Sequence, residues 1–160
     1  MKKLENFVEK FNIKIRFKKE LIVKRNGKYF LLDEKLKNFI SSIKKDFIYA
    51  GTYLGKVENE KFVPSFNLLR MISEKKGSNK IFVNEKSGWL FICGRDVFKK
   101  GIIDVDGSLR KGEYALVLNR YGECLGFGEI TYNLKNIRKH VVVKNILDIG
   151  DFLRRERPLA

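Results

Sequence analysis

Leu4, Phe7, Val8 and Phe11 recur at the alternating three- and four-residue spacing of a single helix face, so the chain opens with a short amphipathic helix. Ile13–Phe17 alternates apolar and polar residues with the two-residue period of a strand. Two β-prone runs, Leu21–Arg25 and Lys28–Leu32, flank Asn26-Gly27, a pair that accepts the positive φ angles of a type I′ turn; together they predict a hairpin. Asp33 then stands where a helix cap belongs, ahead of Leu36, Phe39, Ile40 and Ile43 on one face. Phe47–Val57 reads as extended, with Gly51 and Gly55 at bulge positions, and Pro64 closes the stretch. Ser65 begins a helix through Phe66, Leu69 and Ile72, stopped before Lys76-Gly77.

Past Lys76-Gly77-Ser78-Asn79, which reads as a short linker, the pattern changes to brief strands and glycine turns. Lys80–Val83, Trp89–Cys93, Ile102–Val105, Tyr114–Leu118, Leu125–Tyr132 and Val141–Val143 all read as strands. Gly94–Gly101 reads as a single helical turn bracketed by glycines, and Asp148–Arg157 as a closing helical turn. The expected fold is α+β. Residues 1–78 form a mixed α/β domain with an antiparallel sheet, and residues 79–160 a compact β barrel or sandwich.

Charge changes the picture more than composition does. Lys and Arg number 34 against 19 Asp and Glu, giving a net charge of +15. The excess is not confined to a tail, since residues 1–78 hold 19 basic and 9 acidic side chains and the remainder 15 and 10. Such a surface attracts polyanions. The chain has no apolar run near the roughly 20 residues that span a bilayer, and its first residues lack the apolar stretch of a secretory signal. A soluble protein without a membrane partner is expected, in the cytoplasm of an archaeon or, in a eukaryote, the nucleolus. Cys93 and Cys124 lie far apart in apolar stretches and read as buried small hydrophobes.

Familiar catalytic patterns fail on inspection. Gly51–Val57 has one residue too few between its glycines for a P-loop, and Val57 replaces the hydroxyl that holds magnesium. Gly126-Phe127-Gly128 lacks the third glycine of a dinucleotide fingerprint. Asp104-Val105-Asp106-Gly107 opens like a calcium loop, but the closing glutamate is missing. Glu123 and Glu129 form no evident acid–base pair, and His140, the one histidine, has no nucleophile or orienting carboxylate to work with. Neither a catalytic residue nor a metal or cofactor is therefore expected.

A basic constellation remains. Arg95, Lys99 and Lys100 sit on or beside the glycine-bracketed turn; Arg138, Lys139 and Lys144 flank the last strand; Arg154, Arg155 and Arg157 crowd the C-terminal end. Guanidinium forks engage phosphates bidentately and stack on bases, which suits RNA better than DNA. Against this stands a plain alternative, a solvated face whose arginines pair with Asp148, Asp151 and Glu156.

Cys93–Ile102, followed by Gly112–Asn119 and Leu125–Gly128, resembles a PUA domain, an RNA-binding pseudo-barrel. With Ala50–Lys56 ahead of it and Asp148–Glu156 at the end, the chain resembles the Nip-seven family of large-subunit ribosome biogenesis factors. The likeness covers most of the chain from Tyr49 onward; residues 1–48 agree in element order more than in letters. It implies an N-terminal α/β domain joined to a PUA pseudo-barrel, no enzymatic activity, and a role in pre-ribosomal RNA processing. It also implies binding of uridine-rich single-stranded RNA, with Arg154 and Arg155 on the family's C-terminal basic motif. The N-terminal domain would meet other assembly proteins, among them the Shwachman–Bodian–Diamond protein. The rival expectation is a PUA-containing RNA-modification enzyme, or its accessory subunit, for which residues 1–78 are short.

Overall fold

The computed structural model describes residues 1–43, 49–132 and 141–155. Helix α1 (Lys2–Glu9) buries Leu4, Phe7 and Val8 as its spacing predicts, with Phe11 buried just beyond. Strands β1 (Ile22–Arg25) and β2 (Lys28–Leu31) form the expected hairpin, and Asn26 and Gly27 turn it at φ 46° and 75°. The type I′ reading holds because both central residues adopt left-handed backbone. Asp33 caps α2 (Glu34–Ser42), its carboxylate accepting from Leu36 N at 2.7 Å. No residue of α2 is fully buried, however; Leu36 and Ile40 are half-buried and Phe39 is exposed.

Strands β3 (Thr52–Glu58) and β4 (Lys61–Pro64) complete an antiparallel sheet in the order β1-β2-β3-β4. Pro64 ends the edge strand, where a missing N–H costs no ladder bond. A bulge sets Tyr29 opposite Gly55 and Phe30 opposite Tyr53. Ser65 caps α3 (Phe66–Ser73), accepting from Leu68 N and donating to Tyr53 O. Ile13–Phe17 alternates in burial as expected, yet it joins no ladder: Ile13, Ile15 and Phe17 lie against the core as an extended segment.

The second sheet curls through β5 (Lys80–Val83), β6 (Val97–Phe98), β7 (Ile102–Asp106), β8 (Tyr114–Leu118), β9 (Cys124–Ile130) and β10 (Val141–Asp148). Its order is β6-β10-β9-β8-β5-β7, antiparallel except between β5 and β8. The fold is α+β, an antiparallel N-terminal sheet with helices followed by a PUA-type pseudo-barrel. Residues 89–92, expected as strand, belong instead to α4 (Glu85–Ile92). An unbroken apolar run hides its period, whereas Asn84, whose side chain accepts from Ser87 N at 2.9 Å, carries the helix start. Helix α5 (Ile149–Arg155) follows β10 directly.

Strand β8 is buried on both faces, which explains its continuous apolar sequence. Ala115 and Val117 point into the barrel with Ile81, Val83, Phe91, Val97 and Ile130. Leu116 and Leu118 point outward into a second core built from α1, α3 and the first sheet. Phe7, Phe11, Tyr114 and Phe127 meet there at centroid distances of 5.2–6.0 Å, mostly edge to face. Helices α1 and α3 thus cover the outer face of the barrel strands. This fixes which barrel surface stays open.

Candidate nucleic-acid interface

Helix α4 ends on Gly94, whose φ of 87° lets the chain reverse. Gly94 N donates to Phe91 O and Arg95 N to Leu90 O, a paired closure that projects Arg95 from the helix end. The next residues run along the barrel edge. Asp96 accepts from Asn145 N at 2.9 Å, and Val97 and Phe98 pair with Val143 and Val141 of β10. Lys99–Gly101 is a single 3₁₀ turn, and the helical turn expected over Gly94–Gly101 is therefore a turn, a two-residue strand (Val97–Phe98) and a 3₁₀ turn in succession. Gly101 lies so close to α4 that an added Cβ would stand 1.9 Å from Ser87 Oγ, while its carbonyl accepts from Asn84 N. Lys99 and Lys100 project from this tethered turn into solvent.

Lys144 lies on β10 one residue from Val143, the partner of Val97, and is exposed on the outer face. Arg95 precedes β6, Lys99 and Lys100 follow it, and Lys144 lies on β10, its neighbour, opposite Glu129 of β9; the four flank the β6–β10 pairing at the barrel edge. Arg154 reaches back from α5 to α4, donating to Ile92 O at 2.6 Å and to Asp148 Oδ2 at 2.7 Å, with Asp151 at 3.9 Å. Asp148 is 2% exposed and also accepts from Asn145 Nδ2. The hydrogen bond that Arg154 donates to Asp148, together with the charges of Asp148 and Asp151, raises the Arg154 pKa above its ordinary value. The acid pairing anticipated for the C-terminal arginines thus forms at Arg154, which anchors α5 beside the basic edge while its side chain stays 42% exposed. Arg155 lies on α5, and Arg138, Lys139 and Arg157 lie outside the described residues, as does His140.

The two cysteines part company. Cys124 is half-buried on β9, and burial pushes its thiol up to about 11. Cys93, expected inside, is exposed because it caps α4 instead of continuing a strand. Among the described residues no group of three His, Cys, Asp or Glu side chains is placed to hold a metal, and no helix is long and apolar enough to cross a membrane. Sequence reasoning also passed over Trp89, Arg120 and Tyr121, all lining a groove beside α4. For Trp89 the signal was the helical period of residues 85–92, lost once Trp89–Cys93 was read as strand.

The family model described as the NIP7/UPF0113 pre-PUA domain matches residues 1–66, and that of the UPF0113 PUA domain matches residues 79–157. The chain belongs to the NIP7/UPF0113 family. A curated UPF0113 protein from the archaeon Archaeoglobus fulgidus is 30% identical over 116 residues, covering 68% of this chain and 63% of that protein, so the match spans less than two thirds of the relative. A conserved PUA domain protein from Thermoplasma acidophilum superposes with a TM-score of 0.61 at 18% identity, over 98% of this chain and 93% of the other. A PUA domain from Aeropyrum pernix, solved as a tartrate complex, gives 0.60 at 13% identity, over 92% and 82%. At these identities the two solved structures share the fold with this NIP7/UPF0113 chain, and the fold alone.

Proposed function

We propose that this chain is a non-catalytic RNA-binding factor in large-subunit ribosome biogenesis, acting on pre-ribosomal RNA in the cytoplasm. The observation that carries the reading is the gathering of Arg95, Lys99, Lys100 and Lys144 on one barrel edge of a NIP7/UPF0113 chain whose net charge is +15. On a duplex or a strand, such side chains neutralise phosphates and set register, while bases are read elsewhere. Residues 79–160 act as the RNA-binding half and prefer a uridine-rich single strand. Arg154 holds α5 in place, and Arg155, Arg138, Lys139 and Arg157 extend the contact. Residues 1–78 meet other assembly proteins, the Shwachman–Bodian–Diamond protein among them, and the exposed Phe39 of α2 supports a docking role.

Crosslinking in cells followed by sequencing of the attached RNA tests this reading. Reads concentrated in large-subunit precursor RNA are expected. Reads dominated by transfer RNA would instead indicate a protein of RNA modification and overturn the assembly role.

A further inference from the structure

Trp89 and Tyr121 are large aromatic residues left 66% and 74% exposed, and they line the same groove. Exposed rings normally scatter singly over a surface; two in one concavity mark an interaction site. The groove runs between α4 and the turn joining β8 to β9, with a volume of about 350 Å³. That is within the range of pockets that hold small ligands, about 300–1,000 Å³. Gly88 and Leu125 form its floor, an added Cβ on Gly88 standing 3.2 Å from Leu125 Cδ1. Glu85, Trp89 and Ile92 recur on the α4 face that lines it.

The turn that presents Tyr121 is rigid. Asn119 Oδ1 accepts from Tyr121 N at 2.9 Å and Glu123 N at 3.0 Å, and Asn119 Nδ2 donates to Glu123 Oε2 at 2.6 Å. Arg120 lies over the Tyr121 ring, its Cζ 4.8 Å from the centroid. One cation lines the groove, Arg120 at the turn. Asn119 spends its amide inside the turn, and the exposed Glu85 carboxylate is the acidic group of the lining.

Pre-positioned aromatic rings with a guanidinium on one of them are the parts of a base-stacking platform. A carboxylate within the lining repels phosphate but accepts from the N–H that every base carries on its pairing edge. We propose that this groove takes one unpaired base of single-stranded RNA, stacked against Trp89 and Tyr121 with its pairing edge toward Glu85 and its phosphates outward. The proposal rests on the RNA-binding reading above and adds a site apart from the β6–β10 edge.

Trp89 is the one tryptophan of the chain, so its emission reports on this groove and nothing else. The full chain is titrated with a labelled uridine-rich single-stranded oligonucleotide while label anisotropy and tryptophan emission are followed together. Saturable quenching that tracks the anisotropy is expected. Trp89→Ala and Tyr121→Ala should each weaken binding about tenfold or more, with Trp89→Phe retaining most of the affinity because its ring still stacks. Both side chains are mostly exposed, and circular dichroism verifies that each variant keeps its fold. Anisotropy that reports binding while Trp89 emission and both alanine variants are unaffected would overturn the groove and leave the basic edge standing. Loss of a protein partner instead of RNA in Trp89→Ala would overturn it likewise. No binding by either probe would remove the RNA reading altogether.

Discussion

Asn79 lies where the first 78 residues meet the barrel, and its side chain is expected to be worth more stability than any other single amide here. It is fully buried. Its Nδ2 donates to Glu113 Oε2 at 2.9 Å and Tyr114 O at 3.1 Å, while Oδ1 accepts from Ser108 N at 2.9 Å and Leu109 N at 3.3 Å. The second pair pins Leu109, a buried residue held at φ 48°. Replacing Asn79 with Ala removes these four bonds and a longer one from the Ser108 hydroxyl at 3.4 Å, but keeps the backbone links from Asn79 N to Phe11 O and from Leu116 N to Asn79 O. Each net hydrogen bond contributes about 1 kcal/mol, and a buried donor left unpaired costs about 1–3 kcal/mol. The two short bonds lost and one stranded N–H together give about 3 kcal/mol. With a urea slope of about 2 kcal/mol per molar, Asn79→Ala should lower the unfolding midpoint by about 1.5 M, read by circular dichroism and fluorescence together. A shift below about 0.5 M would refute the assigned role.

Other outcomes follow from individual groups. Burial raises the Glu113 pKa, but hydrogen bonds from the Ser108 hydroxyl, Arg110 N and Asn79 outweigh it and hold the carboxyl below its ordinary value of 4.5. A depressed carboxylate stabilises the fold above its unfolded pKa and loses that contribution as pH falls through the folded value. Stability should therefore drop in acid below pH 4.5, and Glu113→Gln should flatten that limb; an unchanged acid limb in the variant would contradict the assignment. A thiol reagent near neutral pH should modify Cys93 quickly and Cys124 only on unfolding, because one is exposed and the other has its thiolate suppressed by burial. Two fast thiols would disagree. Gly101→Ala should push the 3₁₀ turn away from Ser87 and lower the thermal midpoint, since the added Cβ meets Ser87 Oγ at 1.9 Å; an unaltered midpoint would show that the turn is not tethered as described.

Legibility in the sequence tracked how local the signal was. Asn26-Gly27, Asp33 and Ser65 each fix their element through a bond or φ angle a few residues away, and each element formed where expected. Strand β8 matched its expected bounds because its chemistry is purely apolar, although that it would face two cores depends on α1 packing from more than 100 residues away. Where an apolar run lacks period, as in Trp89–Cys93, local pattern does not separate strand from buried helix, and the tertiary fit of Gly88 against Leu125 decides. The extended Ile13–Phe17 kept strand alternation without a partner, since pairing is a property of the neighbour and not of the run. For the basic residues, sequence gave identities and the fold gave grouping. The β6–β10 pairing sets the stretch carrying Arg95, Lys99 and Lys100 beside the strand carrying Lys144, while Asp148 diverts Arg154 into holding α5.

The claim on which the account depends is that this edge neutralises a ribose-phosphate strand, and salt dependence measures it most directly. Binding of a uridine-rich single strand is followed across a range of salt concentrations for the natural chain and for a variant with Arg95, Lys99, Lys100 and Lys144 all changed to Ala. Each phosphate neutralised contributes about −0.7 to the log–log slope on a single strand, so four contacts contribute about −3. The variant should bind far more weakly and with a slope shallower by about 3. Equal affinity and equal slope in the two proteins would contradict the claim.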